Sequence, residues 1–213
     1  MMLDTSLSCT GLPAVGASPG GDFVPSYPPE ILFTGLVAEG DSLTDTSITP
    51  GGSYADRIAA ARSGMAFANY AVGGSFVSTM LARLEGMMAA EDPSHLTVMI
   101  GTNDLQPPNT PVDLLADVLG YVAAAKAIKP TLIVGVAGIP PKATAANGAA
   151  FNPMRCEYNA LLRAQVGSGI DFYIPLGDHP AFANAAGDNP GIMGDGSIRP
   201  LRDRTFWPKS MAP

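Results

Sequence analysis

Three short polar blocks in this chain combine a hydroxyl nucleophile with hydrogen-bond donors. They are Glu39-Gly40-Asp41-Ser42-Leu43-Thr44, Asn69-Tyr70-Ala71-Val72-Gly73-Gly74-Ser75 and Gly101-Thr102-Asn103-Asp104. A serine becomes a nucleophile once its neighbours lower the barrier to attack on a carbonyl. Glycine lets the backbone approach a ligand closely and leaves its N–H to donate. An asparagine amide is a second kind of donor. The Ser42 N–H, the Gly74 N–H and the Asn103 amide form a candidate cradle for a developing oxyanion, each such donor contributing about 3 kcal/mol in the transition state. Taken singly, the blocks are ordinary: Gly-Asp-Ser is a common turn, and Asn-Asp after a strand is a usual helix start. Order, spacing and placement must agree before the combination means more.

The elements that would position the blocks are legible from Ile31 onward, where short apolar runs alternate with helix-like stretches. The pattern predicts strands over Leu32–Ala38, Ala66–Ala71, His95–Ile100, Thr131–Ala137 and Phe172–Pro175, and helices over Ser53–Arg62, Thr79–Met88, Pro111–Ile128 and Asn152–Val166. Pro111 suits the first turn of its helix, and Lys129-Pro130 ends it. Alternating strands and helices imply a parallel sheet covered on both faces. Right-handed crossovers make that a three-layer αβα sandwich. Ligands of such sheets bind at the carboxyl ends of the strands. Each polar block follows one expected strand, so all three face one crevice.

Composition excludes several other classes. With 46% hydrophobic and 15% charged residues, the chain can bury a core and is not globally disordered. A net charge of −7 argues against a nucleic-acid surface. No run of 18 apolar residues is present, so no membrane span is expected. No Cys/His cluster has metal-ligand spacing, and no cofactor motif stands out. Residues 1–30 are rich in Gly, Pro and Ser and read as a flexible leader or linker. They make a poor signal peptide, and Leu7-Ser8-Cys9 has the wrong flanks for a lipoprotein site. Met87, Met88 and Met99 read as core fillers. Cys156 reads as an inert packed thiol. Asp41 is expected to shape the serine turn, and Asp104 to start a helix or hold the Asn103 loop. Lys142 to Asn152 reads as a surface loop that could rim the site.

The three blocks together resemble the SGNH hydrolases, also called GDSL lipases and esterases. Gly40-Asp41-Ser42-Leu43 is similar to the first block of that family, Asn69 with Gly74 to the second, and Gly101-Thr102-Asn103-Asp104 to the third. The resemblance spans roughly residues 32–196. It implies a flavodoxin-like αβα fold with a five-stranded parallel sheet and ester hydrolysis without a metal or cofactor. By the same resemblance Ser42 is the nucleophile, and Gly74 and Asn103 assist the Ser42 backbone as oxyanion donors. The substrate it implies is a small-molecule ester or an acylated carbohydrate or lipid. The Gly-x-Ser-x-Gly elbow of ordinary α/β-hydrolases is absent.

The last block of that family, Asp-x-x-His, is where this chain departs. Asp195 matches the aspartate, which would orient the histidine. Three residues on stands Ile198, followed by Arg199, which stays protonated and cannot act as a base. Loss of a triad histidine can remove about a million-fold in turnover. Of the two histidines, His179 lies near the right rim but next to Asp178 in a turn, a poor replacement, and His95 lies at the opposite end of its strand and reads as structural.

The genetic code suggests a cause. Reading the tail codons one base out of register allows Asp-Gly-Ile-His-Pro from Asp195 onward. It also forces Leu from Phe206-Trp207, Ala from Trp207-Pro208 and Gly from Met211-Ala212. One base lost near codon 196 would produce this tail. Residues 199–213 hold Arg199, Arg202, Arg204 and Lys209 with three prolines and no helical apolar stripe, so they cannot supply an amphipathic closing helix. The expected organisation is thus a leader over 1–30, a hydrolase domain over 31–198 and an abnormal basic tail over 199–213. The expected activity is ester hydrolysis by lineage, disabled or nearly so in this chain. The alternatives are a non-catalytic binding module or a structural domain of a larger assembly. Nothing in the sequence selects a compartment, an oligomeric state or one ester.

Overall fold

The computed structural model describes residues 35–48, 52–62, 64–142 and 147–178. Their order is β1 (Gly35–Gly40), α1 (Tyr54–Ala60), β2 (Ala66–Asn69), α2 (Val77–Glu91), β3 (His95–Met99), α3 (Pro111–Ile128), β4 (Ile133–Ala137), α4 (Gly148–Arg163) and β5 (Phe172–Ile174). The strands form one sheet in the order β2-β1-β3-β4-β5, with every pairing parallel. This is the expected α/β sandwich with a five-stranded parallel sheet.

Side chains alternate across each strand, so the two faces of the sheet pack differently. Val37, Leu96, Val98, Val134 and Val136 meet α2, α3 and α4 through residues such as Met80, Leu84, Met87, Val118, Tyr121 and Tyr158. Ala38, Met99 and Ala137 meet α1 through Tyr54 and Ala55. The three methionines expected in the core are there, all nearly inaccessible.

Helix starts follow local chemistry. Ser53 and Asp56 form a reciprocal capping box on α1, and Thr110 and Asp113 form another on α3, where Pro111 occupies the first turn. Asp104 does not start the helix after it. Its Oδ1 accepts the Val77 N–H at 3.0 Å and so holds the first turn of α2 from across the site.

Several boundaries differ from the sequence reading, and two of the shifts have a plain physical cause. β1 runs on through Glu39 and Gly40, because the Glu39 carboxylate finds buried partners and need not end the strand. The segment expected as loop up to Asn152 is helical from Gly148, since Ala149 and Ala150 favour helix and Phe151 is buried beneath them. Cys156 is not a packed thiol. It is half-buried on α4 and disulfide-bonded. The leader, the tail and Cys9 lie outside the described residues. No helix among those described is long and apolar enough to cross a membrane.

Candidate active site

Ser42 sits in the turn directly after β1 and is half-buried. The turn is wound tightly on Asp41, whose carbonyl accepts the Thr44 and Asp45 N–H groups at 3.0 Å each. Its side-chain Oδ1 takes the Leu43 N–H at 2.9 Å. The turn can press this close only because of Gly40, where a Cβ would lie 2.2 Å from the Met99 carbonyl oxygen. Burial pushes the Asp41 carboxyl up to about 6, and the Asp104 charge adds to the rise. The Leu43 N–H opposes it.

β1 lies between β2 and β3, so the loops after these three strands adjoin. Direct bonds tie the second loop to the first. Asn69 Nδ2 donates to the Thr44 carbonyl at 2.8 Å and to Thr46 Oγ1 at 2.9 Å. The Val72 N–H reaches the Gly40 carbonyl, and the Gly73 N–H reaches Asp45 Oδ2 at 2.9 Å. The Ser75 N–H turns back to the Val72 carbonyl. Between these occupied donors, the Gly74 N–H has no acceptor among the described residues, and Gly74 is exposed. Its φ of +78° is one that only glycine adopts without strain.

The third loop closes against the second. Asn103 Nδ2 donates to the Ser75 carbonyl at 2.9 Å, which occupies one amide hydrogen and leaves the other. The structure thus brings Ser42, Gly74 and Asn103 to one end of the sheet on three consecutive loops. A fourth loop joins them: Lys142 Nζ donates to the Thr102 carbonyl at 2.9 Å and lies 4.2 Å from the centre of the Phe151 ring. Desolvation lowers the Lys142 pKa, with the Asp41 charge opposing.

Asp195 and His179 lie outside the described residues. Asp178 is described, and its carboxylate accepts from Arg163 and from the Tyr173 hydroxyl. It is engaged by those two groups. His95, at the amino end of β3, is 5% exposed and contacts Ser94 Oγ through Nδ1 at 2.9 Å. Its place in the core agrees with a structural role. Among the described residues no group of His, Cys, Asp and Glu side chains could hold a metal ion.

The GDSL-like Lipase/Acylhydrolase family matches the sequence over residues 38–202. The chain belongs to that family. Solved structures of similar fold include a member of the lipolytic protein G-D-S-L family from Veillonella parvula, at 21% identity and a TM-score of 0.64, covering 84% of this chain and 94% of that one. A catalytic mutant of an acetylxylan esterase from Geobacillus stearothermophilus is similar at 16% identity and a TM-score of 0.61, covering 83% and 91%. A lipase/acylhydrolase from Enterococcus faecalis is similar at 16% identity and a TM-score of 0.57, covering 79% and 88%. No curated protein matches the chain. The GDSL lineage is one of ester hydrolases.

Some residues at this GDSL-type site escaped the sequence reading. Buried Glu39 and Ser75 and half-buried Arg83 form a network beneath the loops. A carboxylate inside an apolar strand was the available signal, because a buried charge requires a partner. The identity of that partner, 44 residues away, was not readable.

Proposed function

We propose that this GDSL-family chain carries a serine ester hydrolase site in which Ser42 is the nucleophile. The Ser42 N–H, the Gly74 N–H and the Asn103 amide are the oxyanion donors. The observation that carries the reading is the Gly74 N–H, left without an acceptor between two donors that the loop consumes, on a loop tied to both the serine turn and Asn103.

In this mechanism Ser42 Oγ attacks the ester carbonyl and its proton passes to a base. The carbonyl oxygen takes the negative charge among the three donors. The alcohol then leaves with a proton, and water releases the acyl group. In a Ser-His-Asp arrangement the base is histidine, oriented by the aspartate. Asp195 matches that aspartate, and Ile198 stands where the histidine belongs. The chain therefore turns over esters slowly or not at all, and a frameshift near codon 196 accounts for the change. The substrate class is a small carboxylic ester, including acylated carbohydrates and lipids.

p-Nitrophenyl acetate tests the reading. The expected result is a trace of turnover that Ser42→Ala abolishes. Ordinary esterase rates in the chain as it stands would overturn the inactivity. A trace unaffected by Ser42→Ala would overturn the nucleophile. The missing histidine favours one second reading, a binding module that keeps the crevice without turnover. Saturable binding of an acylated sugar or lipid with no hydrolysis would support it.

A further inference from the structure

The mechanism above leaves one partly buried ion pair unused. Glu39, the next-to-last residue of β1, is 0% exposed. Its Oε1 takes Arg83 Nε of α2 at 2.5 Å, and its Oε2 takes the hydroxyl of Tyr121 on α3. Burial raises the Glu39 pKa, while Tyr121 and Arg83 hold it down. A buried ion pair is poor evidence for stability, because apolar side chains of similar volume often serve as well.

The other end of the guanidinium supplies the reason. Arg83 Nη1 and Nη2 each donate to Ser75 Oγ at 3.3 Å, and Nη1 also donates to the Thr79 carbonyl of its own helix at 3.3 Å. Ser75 follows Gly74 directly, and its carbonyl accepts from Asn103 Nδ2 at 2.9 Å. One side chain, fixed at its root by Glu39, therefore grips the residue that joins both loops. The planar fork of arginine suits this task, since one edge meets a carboxylate and the tip still reaches a hydroxyl.

We propose that Glu39 and Arg83 are positioning residues that hold the Gly74 N–H and the Asn103 amide at the spacing an oxyanion requires. The inference rests on the ester-hydrolase reading and adds to it the device that sets its donors.

Phenylboronic acid on the full chain provides the test. Ser42 Oγ bonds to boron, boron becomes tetrahedral and anionic, and the hydroxyl proton goes to the buffer. At equilibrium this adduct needs no catalytic base, only oxyanion stabilisation. Arg83→Met is expected to weaken boronate affinity at least tenfold at temperatures well below its unfolding midpoint. Arg83→Lys, with the charge but not the fork, is expected to recover part of that loss. Ser75→Ala leaves the ion pair and the core intact, and is expected to reproduce a several-fold loss even if Arg83→Met folds poorly. Hydrogen exchange read alongside should accelerate in residues 72–76 and 102–104, with β3 and β4 unchanged. Parent-like affinity in both Arg83→Met and Ser75→Ala would overturn the positioning role and leave the nucleophile standing. An adduct that fails to form on the parent chain, or that survives Ser42→Ala, would overturn the ester-hydrolase reading and the pair's role with it.

Discussion

At the amino end of the sheet, Ser94 Oγ donates to the Gly35 carbonyl at 3.0 Å, accepts the Gly35 N–H at 3.1 Å and meets His95 Nδ1. Asp171 accepts the Val134 N–H and Lys126 Nζ at 2.7 Å each. At the carboxyl end, Asp41 Oδ2, Thr44 Oγ1, Thr102 Oγ1 and Asp104 Oδ2 are buried, and none finds a partner among the described residues. Buried polar atoms are normally paired, and leaving one unpaired costs about 1–3 kcal/mol. The same strands thus start in a paired network and end beside buried polar atoms that the described residues leave unpaired. That difference separates the His95 end from the Ser42 end within one sheet.

The strongest way to sharpen the contrast is to add one base after codon 195, so that the tail reads as the proposed frame. With Ile-His-Pro in place, p-nitrophenyl acetate turnover should rise by up to about a million-fold over the present chain, and Ser42→Ala should remove the gain. A restored chain that stays inert would move chemistry away from this end of the sheet. In the restored protein, Asn103→Ala should lower kcat by about 100- to 1000-fold with little change in KM, as expected for a donor used in the transition state.

The next effects are on stability and its dependence on pH. The Asp41 carboxyl is raised from 3.8 to about 6, so the folded chain binds more protons than the unfolded one across that window. Stability from this group falls as pH rises from about 4 to about 6. Asp41→Asn should flatten that slope and stabilise the protein by about 3 kcal/mol at pH 7, as read from urea unfolding. His95 acts in the opposite sense. Burial, with the Arg62 charge, lowers its pKa from 6.5 to about 4, so the unfolded chain binds more protons there and stability falls as pH drops from about 6.5 to about 4. His95→Gln should remove that acid-side loss, and an unchanged profile would show that the imidazole does not couple to folding. The smallest effect expected is that of Ser94→Ala. It should cost about 1–2 kcal/mol through the Gly35 bonds and leave Ser42 reactivity untouched.

The sheet was legible in the sequence because its central strands are short apolar runs bounded by polar blocks. His95-Leu96-Thr97-Val98-Met99 and Ile133-Val134-Gly135-Val136-Ala137 carry that pattern plainly. The placement of Ser42, Gly74 and Asn103 followed from strand order. The end of β1 shifts because Glu39 opens a polar block and so reads as the start of the loop, whereas Arg83 and Tyr121 pair with it from other elements. The start of α4 was misplaced because Ala and Gly together suit either a loop or a helix, and the burial of Phe151 decides. Of the two roles that local sequence offers Asp104, a helix start or a hold on the Asn103 loop, the helix start does not occur, and its carboxylate partner Val77 precedes it by 27 residues. Each miss involves a contact between distant segments, which single-strand periodicity does not encode.

Among the described residues, the sheet is bounded by β2, with four residues, and β5, with three. An exposed strand edge is a template for pairing with another chain, and very short edges are one way proteins blunt it. β1, which leads to the serine, has strands on both sides and presents no such edge. Copies of this chain brought together at high concentration would find little backbone on which to extend one another's sheets. The strand that carries the Ser42 turn is shielded from that route altogether.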